Sequence, residues 1–206
     1  SSAMSIVGRP DVPKEMVVVV GGIKFEKGTH GICHLRHVTL RHATGDGVFG
    51  SSSFTMDDVL VEQCADVGVF AWGTGVVGTC TNGEVRQCGR SGVVAGNGGS
   101  ITLIGAKTAV HHNCTKGGSR QYGLTVSHTS SSIQLVSPLT KEQVAVDNGG
   151  AGNWGAGYRG DVNQIKTMDK AEFESVLEQE ATSAARIEAM SQNMKVTGTV
   201  TVNVPE

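Results

Sequence analysis

The chain has 206 residues, 38% of them hydrophobic and 17% charged, with a formal net charge of −2. That length supports one sizeable core with a short appendage, and the near-neutral charge with only 4% aromatic residues argues against a nucleic-acid-binding surface. No apolar run reaches the ~20 residues of a membrane-spanning helix, and Ser1-Ser2-Ala3-Met4 carries neither region of a secretory signal, which leaves the compartment open.

In chain order, residues 17–25 read as an opening coil of short apolar strands. Three segments then repeat one another: Leu40-Arg41-His42-Ala43 runs seven residues to Gly47-Val48-Phe49, Val61-Glu62-Gln63-Cys64 runs seven to Gly68-Val69-Phe70, and Val85-Arg86-Gln87-Cys88 runs seven to Gly92-Val93-Val94. Copies 21 and 24 residues apart that keep this interval follow one path, as the coils of a solenoid do. A fourth copy, Val110-His111-His112-Asn113, reaches Gly123-Leu124 only after a lateral loop, and a fifth is read at Val146-Asp147-Asn148-Gly149. A further apolar strand precedes each copy, at 32–35, 54–56, 76–77, 101–104 and 133–136. The glycine-, serine- and asparagine-rich spacers supply the corners. The expected fold is all-β: a parallel β-helix solenoid of about five to six rungs.

Stacked coils put equivalent residues one above another. One interior ladder is then Ala43, Cys64, Cys88 and Asn113, so the cysteines read as small, reduced, buried groups, and the Asn113-Cys114-Thr115 sequon places its asparagine inward. The glycine-rich stretch 148–158 lacks the Gly-Lys-Ser/Thr ending of a phosphate loop and reads as a link, with Trp154 and Tyr158 either packing back or closing over a sugar. From Asp169 the pattern becomes helical for about twenty residues, with Phe173, Val176, Leu177, Ala181, Ala184 and Ile187 on one face. After Asn193, alternating valines predict a strand that ends at Pro205. Two regions follow: 1–165 as the solenoid and 166–206 as a C-terminal α-helix and strand capping its last coil or meeting a partner.

The outward column next to the apolar ladder reads Arg41, Glu62, Arg86, His111 and Asp147, with charges of alternating sign. Ion pairing between coils that fixes register accounts for it; the other reading is a polar groove for a glycan, with His42, Gln63, Gln87 and His112 beside it. The seven histidines fall on different edges and predict no metal site. Asp57, Asp58 and Asp66 are candidates for acid–base work or for holding a calcium ion as cofactor, although aspartates also favour turns for their own hydrogen bonds.

The Val-x-x-Cys and Gly-Val-Phe recurrences make residues 17–153 resemble the right-handed parallel β-helix superfamily, the pectate-lyase-like, carbohydrate-associated group that includes pectate lyases, polygalacturonases, alginate epimerases and viral tailspikes. The resemblance implies a long parallel sheet suited to a linear polysaccharide. It carries over no catalytic residue, since neither an Asp-Pro-His-Asp nor an Arg-x-Pro-x-x-Arg segment is present. The leading expectation is a non-catalytic module with a structural, adhesive or polysaccharide-binding role. Its ligand contacts would come from Arg41, Glu62, Arg86, His111, Asp147 and Trp154, and its partner would be a polysaccharide, another protein or a second copy. The alternative is a lyase, C5-epimerase or glycoside hydrolase acting on a linear, acidic glycan through Glu62, Arg86, His111 or the Asp57, Asp58 and Asp66 group.

Overall fold

The structure is a computed structural model that describes residues 2–179 and 181–183. The chain divides into two compact units, Ser1–Met168 and Asp169–Glu206. In the first unit the short apolar segments form three parallel sheets. The first sheet holds Ser5–Val7, Cys33–Arg36, Phe54–Asp57, Val77–Thr81, Ser100–Ile104, Ser132–Val136 and Ile165–Met168. The second holds Val18–Val20, Thr39–Arg41, Leu60–Glu62, Glu84–Arg86, Ala109–His111 and Ala145–Val146, and the third Ile23–Phe25, Val48–Gly50, Val69–Trp72, Val93–Gly96, Leu124–Ser127 and Trp154–Ala156. Successive strands visit the three sheets in rotation, which gives a parallel, solenoid-like stack.

Alternation along each strand sends one set of side chains into the core. Leu40, Val61, Val85 and Val110 are Cα partners on neighbouring strands and are all buried, as are Val48, Val69, Val93 and Leu124 on the third sheet. All five cysteines are buried and unpaired. The repeated glycine has a packing cause. A Cβ on Gly68 would lie 2.3 Å from Val85 Cγ1, 2.6 Å from the Gly92 carbonyl oxygen and 3.2 Å from Cys88 Sγ. At Gly47 the same three intruders are Val61, Gly68 and Cys64. Each motif glycine therefore receives the apolar residue and the ladder residue of the next coil.

The ladder continues as hydrogen-bonded asparagines. Cys88 N donates to Asn113 Oδ1 at 3.1 Å, and Asn113 Nδ2 donates to the Val85 carbonyl at 2.9 Å and to Asn148 Oδ1 at 3.1 Å. Asn113 is 1% exposed, so its amide is committed inside the fold rather than offered for glycosylation.

Two sequence readings change. The fifth copy is shifted by one residue: Ala145, not Val146, is the partner of Val110, and Val146 takes the outward place beside His111. The helical turn Lys141–Val144, capped by Thr140, buries Val144, and the strand that follows it begins with Ala145 inward. A one-residue slip exchanges the two faces of a strand. Asp147 then falls at the corner that Gln63, Gln87 and His112 occupy in earlier coils, all with left-handed φ near +55°. Second, stretch 148–158 is not simply a link, because Trp154–Ala156 within it pairs with Leu124–Val126 and completes the third sheet.

In the second unit, residues 170–179 and 181–183 are helical. Asp169 starts this segment as expected: its carboxylate accepts from Ala171 N at 2.8 Å and its carbonyl from Phe173 N at 3.0 Å. Ala184, Ile187 and the strand read after Asn193 lie outside the described residues. Among the described residues no helix is long and apolar enough to cross a membrane.

Candidate functional site

The outward column of the second sheet assembles Arg41, Glu62, Arg86 and His111 on adjacent strands. Glu62 sits between two guanidinium groups, with Arg41 Nε 2.5 Å from Oε1 and Arg86 Nε 2.9 Å from Oε2. Its side chain is only 4% exposed. Burial pushes the Glu62 carboxyl up, and the hydrogen bonds and charges of Arg86 and Arg41 overcome this and hold it below the usual carboxylate range. Glu84 extends the chain of pairs, accepting from Arg86 Nη1 at 3.0 Å and lying 3.1 Å from His111 Nε2, while His111 Nδ1 meets His112 Nδ1 at 2.7 Å. Such a continuous network fixes the register of four strands.

The acidic trio is not brought together. Asp57 and Asp58 lie at the corner between the first and second sheets, where Asp57 faces Arg36 at 3.1 Å and Asp58 accepts from Lys14 Nζ and His37 Nδ1 at 2.7 Å each. Arg36, His37, Asn82 and Lys107 join them around a pocket of about 390 Å³. Asp66 lies on the loop between the second and third sheets, with Arg90 Nε 2.9 Å away as an ion pair. Among the described residues no group of three or more histidines, cysteines and acids is arranged to hold a metal ion. Asp147 stands apart from the charged column, and Trp154 packs partly buried against the core with Lys141 Nζ 5.6 Å from its ring.

The outer face of the third sheet carries a feature that composition hides. Phe49 and Phe70 follow the inward Val48 and Val69, so they point outward, and Trp72 does so two residues on. Stacked by the coils, they form a row: Phe49 to Phe70 at 5.4 Å between centroids, Phe70 to Trp72 at 5.4 Å, Trp72 to His128 at 5.6 Å and His128 to Tyr158 at 5.6 Å. The Trp72 ring lies over Gly96, where a Cβ would come within 2.8 Å of it. The motif Gly-Val-Phe already contained Phe49 and Phe70, and the alternation rule applied to it was the signal that would have found them.

Two clefts flank the row. One of about 460 Å³ lies at the Phe49 end and is lined by Lys24, Thr44 and Asp46; another of about 450 Å³ lies beside Trp72, with Lys27, Thr74 and Asn97. Asp46 Oδ1 accepts from Val67 N at 3.0 Å. Burial pushes its carboxyl above the usual range, with the Val67 bond opposing and the nearby Asp66 charge adding. Sequence reasoning passed over Asp46 because nothing in its spacing distinguishes it from a turn aspartate.

No protein-family model matches this chain, and no curated protein and no solved structure matches it either.

Proposed function

We propose that the first unit is a right-handed parallel β-helix of the carbohydrate-associated type and that it serves as a non-catalytic module binding a polysaccharide along the outer face of its third sheet. The observation that carries this reading is the row Phe49, Phe70, Trp72, His128 and Tyr158. Aromatic rings offer apolar faces and edges to the C–H side of a sugar, while neighbouring polar groups bond its hydroxyls. Thr44, Asp46, Thr74 and Asn97 stand beside the rings to do so.

The state of the acids supports the same side. Glu62, Asp57, Asp58 and Asp66 each face a cation, whereas an acid–base catalyst must exchange its proton with substrate. Arg41, Glu62, Arg86 and His111 are assigned to holding the coils in register.

Binding to an immobilised glycan panel tests the proposal. Phe70→Ala with Trp72→Ala is expected to weaken binding at least tenfold while the circular dichroism spectrum is kept. Glu62→Gln is expected to leave binding intact and to lower stability by about 2–3 kcal/mol, the cost of unpairing a buried charge network. Turnover of any glycan that Glu62→Gln abolishes would replace this reading with the enzymatic one, and capture of a protein but no glycan would replace it with an adhesive one.

A further inference from the structure

We infer that the cleft at the Phe49 end is a subsite for a neutral sugar residue bearing adjacent free hydroxyls, with Asp46 as its specificity-determining group. The inference rests on the preceding reading of the aromatic row as a glycan face and names what one end of it selects.

The charges around the cleft cancel in pairs, except one. Lys24 Nζ is held by Glu26 Oε1 at 2.9 Å, and Asp66 is held by Arg90 at 2.9 Å. Asp46 forms no ion pair among the described residues, so its carboxylate sets the sign of the cleft. A sugar carboxylate or sulfate placed there would meet a like charge in a partly desolvated setting, where repulsion is stronger than in water.

The hydrogen-bonding capacity points the same way. An ionised carboxylate only accepts, and one oxygen of Asp46 is oriented by the Val67 N–H while the other has no protein donor among the described residues. This leaves acceptor positions on a group already held in place, and two neighbouring hydroxyls can both donate to it. Charge-assisted hydrogen bonds of this kind are the stronger class. Lys24 Nζ lies 5.9 Å from the centroid of the Phe49 ring on the cleft wall, so the part of the ring that Lys24 leaves open meets the C–H face of the same sugar, and the Thr44 hydroxyl serves as a further polar contact.

The experiment compares neutral hexose oligosaccharides with hexuronate oligosaccharides of the same length by isothermal titration calorimetry. The wild-type chain is expected to prefer the neutral set. Asp46→Asn keeps an oxygen for the Val67 N–H and removes the charge, so it is expected to fold with an unchanged melting temperature, to weaken neutral-sugar binding about tenfold and to narrow the discrimination against uronates. Equal or tighter binding of uronates by the wild-type chain, or neutral-sugar binding that is lost in Trp72→Ala but unaffected in Asp46→Asn, overturns the subsite while leaving the glycan-binding reading in place. Binding of neither set overturns both.

Discussion

His37 shows how a single residue can tie separate segments together. Its Nδ1 lies 2.7 Å from Asp58 Oδ2 and its Nε2 lies 2.8 Å from the Val12 carbonyl oxygen. Both partners are acceptors, so both ring nitrogens must carry protons and the bound form is the imidazolium. The Val12 carbonyl, followed by the Asp58 hydrogen bond, raises the His37 pKa above its ordinary value, against burial and the Lys14 charge. A pKa raised on folding contributes stability that is complete below the unfolded value of about 6.5 and is lost as pH rises through the folded value. The denaturation midpoint should therefore fall as pH is raised through that window, and His37→Gln should flatten this part of the profile. An NMR titration of the His37 ring that gave an ordinary or depressed pKa would contradict the clamp. None of this was legible in the sequence, where His37 was one of four histidines near one coil and Val12 belonged to no motif. The Arg41, Glu62 and Arg86 pairing was legible, because adjacent copies of one motif placed opposite charges at the same position.

At the scale of the element, the seven-residue interval to glycine encodes a contact rather than a turn. The glycine stands where the ladder side chain of the following coil enters, as Gly68 does against Val85 and Cys88. Gly68→Ala should cost about 1–3 kcal/mol, the usual range for overpacking a filled core, because one of the groups it meets is a backbone carbonyl that cannot rotate away. Gly45→Ala is the control: a Cβ there meets nothing within 4 Å, so its effect should stay within about 0.5 kcal/mol. Chemical denaturation of the two variants measures the difference. The same element logic explains the slip at the fifth copy. Val146 looked like the inward residue because valine fills that place three times running, at Val61, Val85 and Val110, but Thr140 caps a helical turn that buries Val144 and brings Ala145 to the core. Local capping chemistry overrode the repeat, and Asp147 moved out of the charged column with it.

Across the first unit, each strand pairs, among the described residues, with its counterparts one coil before and one coil after, so stability should be shared between nearest neighbours. Interior strands such as Leu60–Glu62 and Glu84–Arg86 have a partner on both sides, while Ser5–Val7, Val18–Val20 and Ile23–Phe25 begin their sheets with no partner on one side among the described residues. Amide hydrogen exchange is expected to be slowest through 54–104 and to quicken toward residue 5. Uniform protection along the chain would contradict nearest-neighbour stabilisation. The amino-acid sequence by itself determined the repeat, the inward apolar columns and the charged column beside one of them, since burial and alternation act on residues close along the chain and recur with the coil. Only the tertiary structure decided that Phe49, Phe70, Trp72, His128 and Tyr158 form one row with a lone carboxylate at its end. Phe49 and Phe70 share the last position of the Gly-Val-Phe motif, but Trp72 follows Phe70 on its own strand and His128 and Tyr158 belong to no motif, so the five become one row only when the coils are stacked.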